Sequence, residues 1–299
     1  MSENSKIAKG MGTGMKTAKR FLFLAVVIAL MLMLVGCGKT KNGAVEDGDS
    51  SSKSLTIEGS DTMVNLAQAW AEEFMNENPG IVVTVKGGGS GAGIASLLNG
   101  TTDFANASRK VKDEEFEQGK TNNVDVKENA VARDGIAIMV NKSNKVTALS
   151  VDELGKIYRG EITNWKAVGG DDAAIVLLGR DTSSGTYEFF QENVVGKENE
   201  YSKEMRNLQS NQAIVEELKG NPNAIGYVGM GYENSALSLV EIDGVSATVD
   251  AVKDGSYALS RLLYMDSDGI AAGLKKTFLE WVLSSAGQKI VEDEGFVAL

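Results

Sequence analysis

The sequence predicts an α/β fold with a largely parallel sheet. From residue 55 onward, short apolar strand-like segments alternate with segments whose apolar residues recur at helical spacing. Turns rich in glycine and hydroxyl residues connect the strands to the helices that follow them. Without residues 1–36 the chain keeps 263 of its 299 residues, a length that favours two lobes.

The first half of the pattern begins with a strand, a helix and a second strand. The helix has an apolar stripe at helical spacing and stops at Asn78-Pro79-Gly80. The predicted elements are a strand at 55–57, a helix with Met63, Leu66, Trp70 and Phe74, a strand at 81–86, a helix with Ile94, Leu97 and Leu98, and a strand at 103–105.

The second half contains two segments that we interpret as crossovers between lobes. The extended run at 130–141 leads into the second lobe, and the strand at 224–228 leads back. The other predicted elements are a helix and turn at 149–165, a buried strand at 175–178, and carboxyl-terminal helices with Phe278, Trp281, Val282 and Ile290.

The first 36 residues have the pattern of a secretory signal. Three basic residues, Lys16, Lys19 and Arg20, precede an apolar run at 21–35 that is short for a membrane span. Leu-Val-Gly-Cys follows at 34–37 and resembles the bacterial lipobox, in which the cysteine becomes the lipidated amino terminus. We therefore predict a signal peptide at 1–36, and a lipidated Cys37 with a flexible tether at 37–54. The alternative for Cys37 is a lone buried or reactive cysteine.

Composition excludes several kinds of site. The chain has no histidine and one cysteine, which excludes Ser-His-Asp and Cys-His catalytic centres and zinc sites built on those residues. Residues 1–36 carry a net charge of +4, so without them the net charge of −11 becomes −15. An acidic surface argues against nucleic acid as a partner. No metal site and no cofactor are predicted.

Three glycine- and hydroxyl-rich turns precede helices, at 59–62, 87–93 and 180–186. Backbone N–H groups at a helix start attract anions, and glycines allow a ligand to approach the backbone closely. Arg180 ends an apolar strand, from which its guanidinium can bind two oxygens of an oxyanion. The three turns together predict a pocket for a small, multiply charged oxyanion.

Each of these features has a simpler interpretation. Ser60 and Thr62 are common helix caps, Arg109 could be a solvated surface charge, and Arg180 could form a structural ion pair. The glycine run gives no clean match to a dinucleotide fingerprint, and it does not contain the Gly-Lys-Ser/Thr of a Walker loop.

From about Leu55 to the carboxyl terminus, the chain resembles the phosphate-binding lipoproteins of the bacterial high-affinity phosphate ABC transporter. The resemblance rests on the motifs at 59–62, 87–91, 107–109, 162–165 (Ile-Thr-Asn-Trp) and 180–186. It implies a type II periplasmic-binding-protein fold, with two α/β lobes, two hinge strands and the ligand in the cleft. Lobe I would comprise 55–138 with 230–299, and lobe II 139–229.

The resemblance also implies a phosphate site of hydroxyls, backbone N–H groups and arginine. The predicted phosphate-binding residues are Ser60, Asp61, Thr62, Met63, Ser90, Ser108, Arg109, Arg180, Ser184, Gly185 and Thr186. In the best-known pattern an aspartate follows the Ala-Ser pair and accepts the proton of hydrogen phosphate, whereas this chain has Arg109 there. The acceptor is then elsewhere or absent, and Asp61 is our candidate.

The resemblance implies a non-enzymatic extracytoplasmic protein that is monomeric and anchored to the cell membrane. Its partners would be inorganic phosphate and the permease subunits of an ABC transporter. Three alternatives stay open: the same fold with sulfate, molybdate or tungstate; an extracellular phosphoryl-transfer enzyme; and an adhesion or sensor protein built on this scaffold.

Overall fold

Strands and helices alternate along residues 53–299, the part of the chain that this computed structural model describes. The predicted signal peptide, Cys37 and the tether up to residue 52 lie outside the described residues. The strands are β1 (Ser54–Gly59), β2 (Val82–Lys86), β3 (Phe104–Ala107), β4 (Val126–Lys127), β5 (Ala130–Asn141), β6 (Ala148–Leu149), β7 (Val176–Arg180), β8 (Arg206–Leu208), β9 (Ala224–Gly229), β10 (Leu237–Leu239), β11 (Glu241–Ile242) and β12 (Ser260–Asp268).

The α-helices include those that the apolar periodicity predicted, together with others that it did not predict. They are α1 (Val64–Glu77), α2 (Ser90–Leu98), α3 (Asp113–Thr121), α4 (Val151–Tyr158), α5 (Gly185–Phe190), α6 (Asn211–Gly220), α7 (Val249–Lys253), α8 (Gly273–Val282) and α9 (Ser285–Asp293). Short 3-10 turns occupy Asp61–Met63, Trp165–Val168 and Met230–Tyr232, and a π-helical turn follows α5 at Gln191–Gly196.

Most strands join one sheet in the order β2-β1-β3-β12-β5-β9-β7-β8. The pairs at its two ends are parallel: β1 with β2 and β3, and β7 with β8 and β9. The central pairs are antiparallel: β12 with β3 and β5, and β5 with β9. The expectation of a largely parallel sheet was therefore right for the ends and wrong for the centre, where long strands cross between the two parallel parts.

The strand β5 connects these two parts and has the bounds that the sequence predicted for a crossover. Its first half, up to Gly135, pairs with β12, and its second half, from Ile136, pairs with β9. The predicted lobe boundaries at 138/139 and 229/230 fall within β5 and at the end of β9. The division into lobes stays a prediction.

The apolar stripe of α1 is buried, as its spacing predicted. Met63, Leu66, Trp70 and Phe74 are at most 1% exposed. The indole N–H of Trp70 donates to the Gly287 carbonyl at 2.8 Å. The ring of Phe74 meets that of Phe278 edge to face, with centroids 5.0 Å apart. The carboxyl-terminal helices α8 and α9 thus anchor α1, whose start carries the first predicted anion-binding turn.

Within residues 53–299, we find no helix that combines the length and the apolar character needed to cross a membrane.

Candidate functional site

The three glycine- and hydroxyl-rich turns contact one another. The Gly91 N–H donates to the Ser183 carbonyl at 3.0 Å, and the Ser183 hydroxyl donates to the Gly88 carbonyl at 3.0 Å. The Gly89 N–H donates to the Gly59 carbonyl at 2.9 Å. A Cβ at Gly89, which has a φ of +96°, would lie 2.5 Å from the Ser183 carbonyl oxygen. Glycine is therefore required at 89 for the turns to approach this closely.

Four buried hydroxyls line this meeting point in two pairs. The Thr62 and Thr186 Oγ1 atoms are 2.8 Å apart, and the Ser90 and Ser108 Oγ atoms are 3.2 Å apart. All four residues are at most 1% exposed. The Cα of Gly185 fits between them because a Cβ there would lie 2.4 Å from Ser90 Oγ and 2.8 Å from Ser108 Oγ. The sequence prediction that these residues belong to one site agrees with this geometry.

The capping alternative for the first turn does not fit the structure. Ser60 is buried but makes no side-chain capping bond, and α1 has no side-chain cap at all. Ser184 does cap α5, accepting from the Thr186 and Tyr187 N–H groups at 3.2 and 3.4 Å. Because a cap accepts, the hydroxyl proton of Ser184 stays available for an anion.

The predicted backbone contact of Met63 has a competing acceptor. Its N–H donates to the Ser60 carbonyl at 3.1 Å within the 3-10 turn. A bound anion would therefore have to replace this bond, and the assignment of Met63 stays a prediction.

Arg180 is a buried cation with two unpartnered nitrogens. The residue ends β7 and is 1% exposed. Its Nη2 donates to the Gln209 carbonyl at 2.8 Å and lies 3.3 Å from Asp61 Oδ2. Its Nε and Nη1 are buried without a hydrogen-bond partner. The structural ion pair considered from the sequence is therefore present at one nitrogen only, and the two unpartnered nitrogens suit an anionic guest.

Asp61 connects the first turn to the start of α6. Its Oδ2 accepts from the Asn211 backbone N–H at 2.9 Å and from the Asn211 side-chain amide at 2.7 Å, besides its contact with Arg180. Its main-chain carbonyl accepts from the Tyr232 hydroxyl at 2.9 Å. Within the described residues, no protein donor bonds Oδ1. The proton-acceptor role of Asp61 stays a prediction that would use this second oxygen.

Arg109 is enclosed by carboxylates rather than solvated. Its Nη1 and Nη2 each donate to Glu115 at 2.8 Å, and its Nε lies 2.6 Å from Glu188 Oε2 as an ion pair without hydrogen-bond geometry. Lys112 Nζ also lies 3.0 Å from the same Glu188 oxygen. Although burial opposes the shift, the hydrogen bond from Arg109 lowers the pKa of Glu115. The surface-charge alternative is wrong, and these contacts favour a bridging role over the predicted contact with phosphate.

Sequence reasoning missed a buried ion pair beneath the hydroxyls. Asp134 on β5 and Arg261 on β12 are 0% and 8% exposed. Arg261 Nε and Nη2 donate to Asp134 Oδ2 at 3.0 and 2.7 Å. Burial raises the pKa of Asp134 and lowers that of Arg261, and each partner's charge opposes the shift. The available signal was the pair of charged residues Arg133 and Asp134 inside an otherwise largely apolar strand.

The arrangement offers N–H and O–H donors. In residues 53–299 there is no group of three or more acidic or cysteine side chains that could hold a metal ion. The site can surround a small oxyanion with donors from the three turns and from Ser108 after β3, and Arg180 stays the predicted charged contact.

Comparisons with known proteins agree with this arrangement. A family model described as a PBP superfamily domain matches residues 44–286. The phosphate-binding protein PstS of Bacillus subtilis strain 168 is 33% identical over 292 residues, which cover 95% of each chain. The chain belongs to the PstS family of this superfamily. A second PstS family member, from Staphylococcus haemolyticus, is 34% identical over 86% of this chain and 87% of its own length.

Solved structures confirm the predicted periplasmic-binding-protein-like fold. A Clostridium perfringens protein crystallised with bound phosphate is 35% identical, covers 82% of this chain and 99% of its own, and gives a TM-score of 0.77. An ABC-type phosphate transport receptor from Vibrio cholerae is 29% identical over 82% of this chain and all of its own, with a TM-score of 0.69. The resemblance to the PstS family drawn from motifs is thereby confirmed.

Proposed function

We propose that the protein binds inorganic phosphate outside the cytoplasm and delivers it to the permease of an ABC transporter. The observation that carries the proposal is the buried guanidinium of Arg180, whose Nε and Nη1 have no protein partner. The PstS relatives are named for phosphate binding, and the Clostridium perfringens structure contains phosphate. These facts support phosphate as the anion that Arg180 meets.

Binding would replace hydroxyl-to-hydroxyl bonds with stronger ones. The pairs Thr62–Thr186 and Ser90–Ser108 are neutral contacts of 2.8 and 3.2 Å. A dehydrated anion between them would accept their protons in charge-assisted hydrogen bonds, which are roughly twice as strong as neutral ones. The unpartnered N–H groups of Arg180 would donate to further oxygens of the anion. Phosphate would thus be held by fixed dipoles and one arginine despite the acidic surface.

Selectivity would depend on the proton that phosphate retains near neutral pH. A site made only of donors does not distinguish hydrogen phosphate from sulfate. We assign the acceptor role to Asp61 Oδ1, because Oδ2 is already used by Asn211 and Arg180. A carboxylate oxygen accepts the proton of HPO₄²⁻ and repels fully ionised sulfate.

Capture and release would require the two lobes to close and open. Lobe I would comprise 55–138 with 230–299, and lobe II 139–229. Supporting this, Asp61 of lobe I contacts Asn211 and Arg180 of lobe II, and Arg109 of lobe I contacts Glu188 of lobe II. The strand β5, which changes pairing partner at Gly135, would be one of the hinges.

We further propose that Cys37 carries the lipid that anchors the protein to the cell membrane, with permease subunits as its partners. The chain would act as a monomer, without a cofactor, nucleic acid or enzymatic turnover. The lipobox-like sequence at 34–37 supports the anchor, and the absence of histidine supports binding without chemistry.

Calorimetric titration of the phosphate-freed protein tests the proposal. We expect tight stoichiometric binding of phosphate and at least 100-fold weaker binding of sulfate, molybdate and tungstate. Preference for one of these anions would establish the same fold with another ligand. Hydrolysis of a phosphate ester by the purified protein would contradict a purely binding role.

A further inference from the structure

The site contains two buried arginines in opposite states. Arg180 leaves its Nε and Nη1 without a partner. Arg261 uses all three of its nitrogens: Nε and Nη2 for Asp134, Nη1 for the Ser108 carbonyl at 3.0 Å, and Nη2 also for Thr186 Oγ1 at 2.9 Å. An arginine with an open edge suits a ligand, whereas one whose nitrogens are all engaged holds its neighbours in place.

We propose that Arg261 is a positioning residue that fixes the Thr186 hydroxyl as a donor to the bound anion; the inference rests on the proposed phosphate function. A guanidinium cannot accept a hydrogen bond, so Thr186 Oγ1 must accept from Arg261 Nη2. This bond occupies one lone pair and restricts rotation about the side chain. Donation from a cation also polarises the hydroxyl, which strengthens it as a donor in turn.

Asp134 determines where this guanidinium points. Its Oδ2 accepts from both Nε and Nη2, and its Oδ1 accepts from the Met230 N–H at 3.0 Å. The carboxylate is therefore held by β5, by Arg261 and by the backbone after β9. Arg261 Cζ also lies 5.6 Å from the ring centroid of Phe189, a cation–π contact from α5. The guanidinium plane is fixed on two sides.

One guanidinium thereby organises both hydroxyl pairs. Through Thr186 it reaches the pair with Thr62, and through the Ser108 carbonyl it fixes the backbone that carries the pair with Ser90. The charge of Arg261 is balanced by Asp134, so the pair supplies order without adding net positive charge. The charge that meets the anion is left to Arg180.

A double-mutant cycle on phosphate affinity tests this role. We compare the parent, Arg261→Met, Thr186→Val and the double variant by calorimetry. We expect each single variant to bind phosphate about 10- to 100-fold more weakly than the parent. The double variant should bind no more than about threefold more weakly than the weaker-binding of the two single variants. A merely structural role for Arg261 would weaken binding by the same factor with or without the Thr186 hydroxyl.

The control is Arg133→Met, which removes an exposed arginine adjacent to Asp134 on β5 and should leave affinity unchanged. The positioning role would be overturned if the fold-loss of affinity in the double variant equalled the product of the two single fold-losses. Unchanged phosphate affinity in Arg261→Met would overturn it as well. If Arg261→Met does not fold, Arg261→Lys replaces it, because lysine keeps the charge but cannot contact Asp134, Ser108 and Thr186 together. The same criterion applies to that cycle. A parent protein that binds no phosphate would instead refute the proposed function.

Discussion

Replacing Arg180 by methionine tests the anion site directly. The side chain is 1% exposed, and methionine fills a similar volume without charge. Its Nε and Nη1 have no protein partner, so each is available for a charge-assisted bond to phosphate. At about 1.5–3 kcal/mol per such bond, two bonds contribute about 3–6 kcal/mol. At about 1.4 kcal/mol per tenfold change, Arg180→Met should weaken phosphate binding about 10²- to 10⁴-fold.

The same substitution should not destabilise the phosphate-free protein. It removes a buried charge whose unpartnered N–H groups oppose folding, and Asp61 keeps both of its bonds from Asn211. We expect an unchanged or raised Tm without ligand and the loss of most of the phosphate-induced rise in Tm. Calorimetry and thermal unfolding measure the two effects.

The matched control is Arg206→Met on the neighbouring strand β8. Arg206 is half exposed, and its ion pair with Glu217 lies at the surface. The Arg206→Met variant should bind phosphate as tightly as the parent protein does. If Arg180→Met keeps phosphate affinity within tenfold of the parent, the unpartnered nitrogens of Arg180 are not the anion contact.

Three further substitutions probe other parts of the site. Asp61→Asn should narrow the phosphate-over-sulfate preference in parallel titrations, with Asp181→Asn in the third turn as the control; an equal preference in mutant and parent would exclude the acceptor role. Glu188→Gln should speed phosphate release about 3- to 10-fold in stopped-flow dissociation, because it breaks a partly buried ion pair between the predicted lobes. The control is Glu192→Gln, which removes an exposed carboxylate and should leave the release rate unchanged. Asp266 is a buried carboxyl without a hydrogen-bond partner, and burial raises its pKa well above its usual range. Above about pH 4 the folded parent therefore keeps a proton that the unfolded chain releases, and the parent loses about 1.4 kcal/mol of unfolding free energy per pH unit up to the folded pKa. Asp266→Asn avoids this loss, so its stability relative to the parent should increase with pH by the same amount. Unfolding free energies that differ by a constant across pH would contradict this last assignment.

The fold was predictable wherever a segment's own pattern specifies its structure. The stripe from Met63 to Phe74 becomes α1, and the apolar run at 130–141 has the bounds of β5. The antiparallel centre of the sheet was not predictable, because strand direction there depends on where β12 returns, about 120 residues after β5. A local pattern contains no information on that pairing.

The site divides in the same way. Glycines and hydroxyls that precede helices identify the turns, and their backbone chemistry predicts an anion. The partners of charged side chains could not be read from the sequence, because Arg109 and Arg180 have similar local settings: Arg180 ends a short buried strand and Arg109 lies two residues after one. Only the folded chain brings two glutamates to Arg109 and leaves two nitrogens of Arg180 without a partner.

The contrast between the arginines accounts for how an acidic protein can bind a dianion. A buried cation is costly unless it is paired, so Arg109 and Arg261 are neutralised by Glu115, Glu188 and Asp134. Arg180 is compensated only in part, by one oxygen of Asp61 at 3.3 Å. The anion itself would then complete the pairing, and its binding energy would include relief of the unpartnered N–H groups. A site with this geometry favours an anionic ligand without requiring a positive surface.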